Sequence, residues 1–225
     1  MTSPISIHEP KPSATSPALR LRTLHMQLER TRAMLHKYSE MFYQLIIVGQ
    51  LTIILMAMAS MTVSLRATAL LIPFFVIYIG VQSAYFLTYV IFARVSATGI
   101  EQRINHLLED DVLIAHRQEA AYLFPLGGAQ FAGVPFSLRQ TFIGFMTIHF
   151  WLTGGASIAL SAYRAWQLLP ELAGEFPPAR YYFWALGAWA LLHLVYLIWY
   201  FGSRHYERRI KEIVREAYQT EYDRA

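Results

Sequence analysis

The stretch from residue 41 to residue 93 limits the possible folds more than any other part of the chain. It carries a single charged residue, Arg66, near its middle. A helix crosses the bilayer core of roughly 30 Å with about 20 apolar residues. The stretch is therefore too long for one span and fits two spans joined by a short turn. We predict a membrane hairpin with spans at residues 41–63 and 69–93.

The composition agrees with a protein that spans the membrane several times. Hydrophobic residues make up 55% of the chain and charged residues 15%, whereas soluble domains have about 25% charged residues. The chain has no cysteine, which excludes disulfides, thiolate metal ligands and a cysteine nucleophile. Its sequence also lacks the P-loop, HExxH, EF-hand and GxSxG motifs. We therefore expect a protein that is not an enzyme.

Two further apolar runs complete the predicted architecture. The third span covers residues 141–162, and the fourth covers residues 181–201. The fourth has aromatic residues at both ends, as is typical of the two membrane interfaces. The predicted fold class is all-α, a polytopic membrane protein with a four-transmembrane-helix bundle and three cytoplasmic amphipathic helices.

The distribution of basic residues predicts the orientation of these spans. Sixteen of the 19 Lys and Arg residues lie before residue 41, in the loop 94–140 or after residue 201. The positive-inside rule therefore places both termini and this loop in the cytoplasm, and we expect a plasma (inner) membrane protein. Because these basic residues flank apolar runs, the predicted partner is the lipid bilayer and not a nucleic acid.

Segments outside the spans are predicted to form cytoplasmic helices. Residues 1–16, rich in Ser and Pro, are predicted to be a disordered tail. Ser16 and Pro17 fit the cap and first position of an amphipathic helix at 17–40. Thr98 and Glu101 match a capping box and predict a new helix within the loop 94–140. The third helix lies in 202–225. Their apolar stripes predict contacts with the membrane, with a second copy or with other membrane subunits.

The uncharged stretch 120–138 is not predicted to be a fifth span, because glycine and proline would interrupt a helix there. Two interpretations stay open, a loop lying on the membrane surface and a re-entrant loop covered by protein. The residues that mark the stretch are Pro125, Gly127, Gly128, Gly133 and Pro135.

Counting residues from the span ends predicts a polar layer about 12 Å inside the cytoplasmic boundary. Polar side chains within spans usually face the bundle interior. Consecutive spans are usually neighbours, so the two histidines of the layer are expected to face each other. The predicted layer consists of Gln50, Gln82, Tyr85, His149 and His193.

Three interpretations of this layer compete. The first is hydrogen bonding between helices, which needs no cofactor or metal. The second is the pathway of a small channel or transporter. The third is a haem b held by His149 and His193. We favour the first, and we expect a structural or assembly subunit of a homo- or hetero-oligomeric membrane complex. The channel or transporter and the bis-histidine haem subunit are the alternatives.

Overall fold

A computed structural model describes residues 16–119, 130–131, 134–135, 142–202 and 205–218. As predicted, the described residues are almost entirely helical. Its longer helices are α1 (Pro17–Ala59), α2 (Ile72–Leu108), α4 (Phe142–Glu175), α5 (Tyr182–Gly202) and α6 (His205–Tyr218). The shorter elements are 3-10 helices at Val63–Leu70 and Pro177–Tyr181, α3 (Ala115–Gln118), and the paired strands β1 (Gln130–Phe131) and β2 (Val134–Pro135).

Helix α1 begins where the sequence predicts. The Ser16 side chain accepts a hydrogen bond from the Leu19 N–H at 3.3 Å, and Pro17 occupies the first turn. The helix then continues for 43 residues to Ala59, so the predicted segment 17–40 and the first span form one rod. At 1.5 Å per residue this rod is about 64 Å long, roughly twice the thickness of a bilayer core. A large part of α1 therefore projects beyond any membrane that it crosses.

Helix α2 also runs past the end of its predicted span. The predicted start of a new helix at Thr98 is wrong, because α2 continues without a break to Leu108. The Thr98 hydroxyl donates to the Arg94 carbonyl oxygen at 3.0 Å inside the helix and does not cap a new one. Ile100 and Ile104 are buried together with Leu24 of α1. Only an unbroken α2 keeps both isoleucines on that packed face.

Helices α1 and α2 pack side by side as an antiparallel hairpin. The register is fixed by the Leu24 cluster, by a stacked pair of Tyr38 and Tyr89 rings 4.5 Å apart, and by Gly49. A Cβ at Gly49 would lie 2.6 Å from Ile79 Cδ1, so glycine permits this close approach. We call the end of the hairpin that contains Leu24 and Leu108 the polar end.

Helix α2 is the centre of the bundle, because α1, α4, α5 and α6 all contact it. At the end opposite the polar end, the Tyr182 hydroxyl of α5 donates to the Leu70 carbonyl oxygen at 3.0 Å. At the same end, Arg66 forms two hydrogen bonds with the Glu171 carboxylate of α4, at 2.8 and 2.6 Å. These contacts fasten α4 and α5 to the connection between α1 and α2.

Among the described residues, three helical segments are long and apolar enough to cross a membrane, at Pro17–Ala59, Ile72–Leu108 and Pro177–Tyr200. They indicate a membrane-embedded protein. Residues 142–162 of the predicted third span, 141–162, lie in α4, which is not one of these three. None of the residues in the most apolar part of Pro177–Tyr200 is buried. The membrane-length helices therefore leave much of their apolar surface open to lipid or to other helices.

Candidate functional site: a buried ion-pair junction

The polar end contains charged side chains that are buried between helices. Glu101 of α2 is only 2% exposed, and Asn105, one turn further on, is also buried. Burying a carboxylate is costly unless it is paired and hydrogen-bonded. The partners of Glu101 come from elements distant in sequence. We call the cluster of Arg32, Glu101, His116 and Glu119 the ion-pair junction.

Arg32 of α1 joins two carboxylates within this junction. It lies one helical turn after Leu28, on the stripe of α1 that faces α2. Its Nε donates to Glu101 Oε1 at 3.1 Å, and a terminal guanidinium nitrogen contacts the same oxygen. The other terminal nitrogen binds Glu119 Oε1. The planar guanidinium can serve two acceptors at once, so Arg32 links α1 both to α2 and to the segment that follows α3.

His116 binds the second carboxylate oxygen of Glu101. Its backbone N–H donates to Glu101 Oε2 at 2.9 Å, and its ring Nδ1 lies 3.2 Å from the same oxygen. Both carboxylate oxygens of Glu101 are therefore bound, one by α1 and the other by α3. The side chain connects three helices through a single buried group.

The turn between α2 and α3 is fixed by a second buried side chain. Glu109 ends α2 in the left-handed conformation, with φ 54°, which costs a non-glycine residue roughly 1–2 kcal/mol. Asn105 holds the chain beyond it, since its side chain accepts from the Leu113 N–H at 2.9 Å and donates to the Leu113 carbonyl oxygen at 2.8 Å. Leu113 packs against the Leu24 cluster. The segment 109–114 is therefore held rigidly against α2.

The electrostatics of the junction favour charged partners. Burial raises the pKa of Glu101, but hydrogen bonds from His116 and Arg32 and the charge of Arg32 outweigh it, so the pKa lies below the ordinary value. Burial lowers the pKa of Arg32, but its bonds and attraction to Glu101 and Glu119 outweigh burial and raise it. A general base needs a pKa near the working pH and access to substrate. Glu101 has neither, so its chemistry suits cohesion between helices.

No family model matches this chain, and no curated protein and no solved structure is significantly similar to it. Its function therefore has to be inferred from the chemistry of its own residues.

The structure places the residues of the predicted polar layer on α1, α2, α4 and α5. Gln50 and Gln82 are partly buried, Tyr85 is 53% exposed, and His149 is exposed. The His193 ring lies 4.1 Å from the Trp189 ring, and its Nδ1 is 2.8 Å from the Trp189 carbonyl oxygen. These contacts of His193 are with its own helix. The layer, and the pairing of its two histidines, stay predictions.

Within the described part of the chain, no group of three or more His, Asp or Glu residues could hold a metal ion. A haem between two histidines needs only two ligands. The haem interpretation of His149 and His193 therefore stays a prediction as well.

Most of the predicted surface or re-entrant loop lies outside the described residues. Pro125, Gly127, Gly128 and Gly133 belong to that part. Pro135 lies in β2 and pairs with Gln130 of β1. The choice between a surface loop and a re-entrant loop stays open.

The ion-pair junction is not among the predicted sites, although the sequence contains a signal for it. Arg32 falls within the stripe Leu21, Leu24, Leu28 and Leu35, four residues after Leu28, where an apolar residue is expected. Glu101 also matches the last position of a capping box that begins at Thr98. A charge on an otherwise apolar helical face predicts a buried partner, and two such charges of opposite sign predict a pair.

Proposed function

We propose that this chain is a non-enzymatic integral membrane protein, a structural or assembly subunit of a homo- or hetero-oligomeric membrane complex. The observation that supports this most is the contrast between a buried polar cluster at one end of the helices and exposed apolar surface along the rest. Buried polar groups hold α1, α2 and α3 together at the polar end, whereas the apolar helices are open over most of their length. The described residues of such a protein offer docking surfaces to other membrane helices.

The open surface of α1 illustrates what a partner would meet. Six of the exposed large apolar side chains in its second half recur at helical spacing, so they form one continuous face. In a bilayer such a face contacts lipid or another helix, and packing decides between them. These residues are Ile47, Val48, Leu51, Ile54, Leu55 and Met58.

We further propose that α4 supplies a fourth span at about residues 141–162, and that the polar end lies in the cytoplasm. Four spans return both termini to one side of the membrane. The concentration of Lys and Arg near the termini and in the loop 94–140 supports the cytoplasmic side of a plasma (inner) membrane.

Measuring the mass of the protein extracted from its native membrane tests the assembly proposal. After mild detergent extraction and correction for bound detergent, we expect a protein mass well above the 25.9 kDa of one chain. The same measurement after extraction in a harsh, denaturing detergent is the control and should give one chain. A protein mass of one chain in the mild extract would contradict the proposal.

A further inference from the structure

Helix α6 begins beside the end of a membrane-length helix. Helix α5 belongs to the apolar segment Pro177–Tyr200, which is long enough to cross a bilayer. At the end of that segment, the Tyr200 ring stacks on the ring of Tyr206 in α6, with the ring centroids 4.9 Å apart. Tyr206 itself is buried. The first turn of α6 therefore lies at the level where the apolar segment ends, which is the boundary of the membrane.

From this boundary, α6 runs toward the polar end. Two turns after Tyr206, Val214 packs closely on Gly99 of α2. One turn later, Tyr218 packs against the Leu24 cluster, and its hydroxyl donates to Gln27 Oε1 at 3.4 Å. Because α6 follows α2 in this way, its first turn is the part closest to the bilayer.

Two exposed arginines lie at this start of α6. Arg208 and Arg209 follow Tyr206 by two and three residues, so their Cα atoms lie only about 3 and 4.5 Å further along the helix. Helical side chains lean toward the N-terminus of their helix. Both arginine side chains therefore lean back toward the bilayer.

The charges of these two arginines are not compensated by the described side chains around them. Glu207 is buried and pairs with Lys211 at 3.0 Å. Glu212 is exposed one turn further from the boundary, and neither arginine forms an ion pair with it or with another described carboxylate. Two permanent positive charges are therefore available to an anionic partner at the membrane boundary.

We propose that Arg208 and Arg209 bind the phosphate groups of anionic phospholipids. The headgroup layer extends roughly 5–7 Å beyond the hydrocarbon core, so the first turns of α6 lie within it. A guanidinium group donates paired hydrogen bonds to a phosphate. Anionic lipids are favoured over zwitterionic ones, because they bring a net negative charge to the basic side chains. This inference goes beyond the proposed assembly function, since it needs no second protein.

Lipid retention by the purified full-length protein tests the inference. The protein in mild detergent is mixed with equal amounts of phosphatidylglycerol and phosphatidylcholine that have the same acyl chains. It is then purified again, and the bound lipids are counted by mass spectrometry. The test variant is Arg208→Gln/Arg209→Gln, which keeps good helix formers on α6. The matched control is Arg20→Gln/Arg22→Gln, which removes two exposed charges from α1, with Arg22 roughly 28 Å before the predicted span that starts at residue 41.

We expect the wild type and the α1 control to retain several-fold more phosphatidylglycerol than phosphatidylcholine. The α6 variant should lose most of this preference while α6 keeps its protection from protease. Inorganic phosphate should leave the preference of the wild type unchanged when compared with chloride at the same ionic strength.

Three results would overturn the inference. The first is an unchanged preference in the α6 variant, and the second is an equal loss in the α6 variant and the α1 control. The third is displacement of phosphatidylglycerol by inorganic phosphate but not by chloride, which would indicate a site for the free ion. If the α6 variant keeps its lipid preference but its mass in mild detergent falls to one chain, the two arginines bind a protein instead.

Discussion

Replacing Arg32 by alanine should lower the free energy of unfolding by about 3 kcal/mol, because it leaves the Glu101 carboxylate buried without its cationic partner. Glu101 is nearly inaccessible to water, and the Arg32 side chain is three-quarters shielded, so solvent cannot replace the lost bonds. Unfolding of the purified protein by a denaturing detergent in mixed micelles would measure the loss.

Arg66→Ala is the matched control for Arg32→Ala. It removes a guanidinium that also binds a carboxylate twice, but the Glu171 partner is exposed. Exposed ion pairs contribute little to stability. The free energy of unfolding should therefore fall far less in Arg66→Ala than in Arg32→Ala. Equal losses would contradict a special role for the junction.

The pH dependence gives the Arg32 variant a second signature. The pKa of Glu101 is lowered from 4.5 in the fold, so the unfolded chain takes up the proton first as the pH falls. The stabilisation that ionised Glu101 provides is therefore complete above about pH 4.5. It decreases as the pH falls through the lower pKa that Glu101 has in the folded protein. In Arg32→Ala, protonation of the buried Glu101 carboxylate stabilises the folded protein instead. The difference in free energy of unfolding between the wild type and Arg32→Ala should therefore decrease below about pH 4.5. A difference that stays constant would contradict an ionised pair.

Gly99→Ala should destabilise the packing of α6 on α2. A Cβ at Gly99 would clash with Val214 Cγ1, and the branched Val214 side chain has little rotamer freedom in a helix. Overpacking of this kind costs about 1–3 kcal/mol, measured as a lower free energy of unfolding and as faster proteolysis within α6.

Two variants control the Gly99 prediction. A Cβ at Gly80, also in α2, would meet nothing within 4 Å, so Gly80→Ala should be neutral or stabilising through its better helix propensity. Adding Val214→Ala to Gly99→Ala removes the clashing methyl and should restore the protection of α6. If Gly99→Ala behaves like Gly80→Ala, the close contact between α2 and α6 does not form.

The sequence predicted the parts of the fold that depend on local signals. Ser16 and Pro17 mark the start of α1 by their own chemistry, and long apolar runs predict membrane-length helices. The break at Thr98 was wrong because packing of Ile100 and Ile104 on Leu24 overrides a capping box. Local signals compete with tertiary contacts, and at this position the tertiary contacts decide.

The sequence signals that Arg32 needs a buried partner, but it does not show how the residues of the ion-pair junction come together. Arg32 and Glu101 meet only when α1 and α2 pair in one register, and His116 reaches Glu101 only because α2 ends at Glu109 and the chain turns back. Their burial is a property of the assembled helices.

The proposed four-span bundle places its polar end in the cytoplasm. Single cysteines in this cysteine-free chain, probed on intact cells with a thiol reagent that cannot cross the membrane, test this directly. Gly174→Cys lies at the opposite end, where a Cβ meets nothing within 4 Å, and should be labelled. Asp110→Cys and Arg215→Cys, both at exposed positions of the polar end, should be labelled only after the cells are permeabilised. Labelling of Arg215→Cys on intact cells would contradict the four-span bundle with cytoplasmic termini.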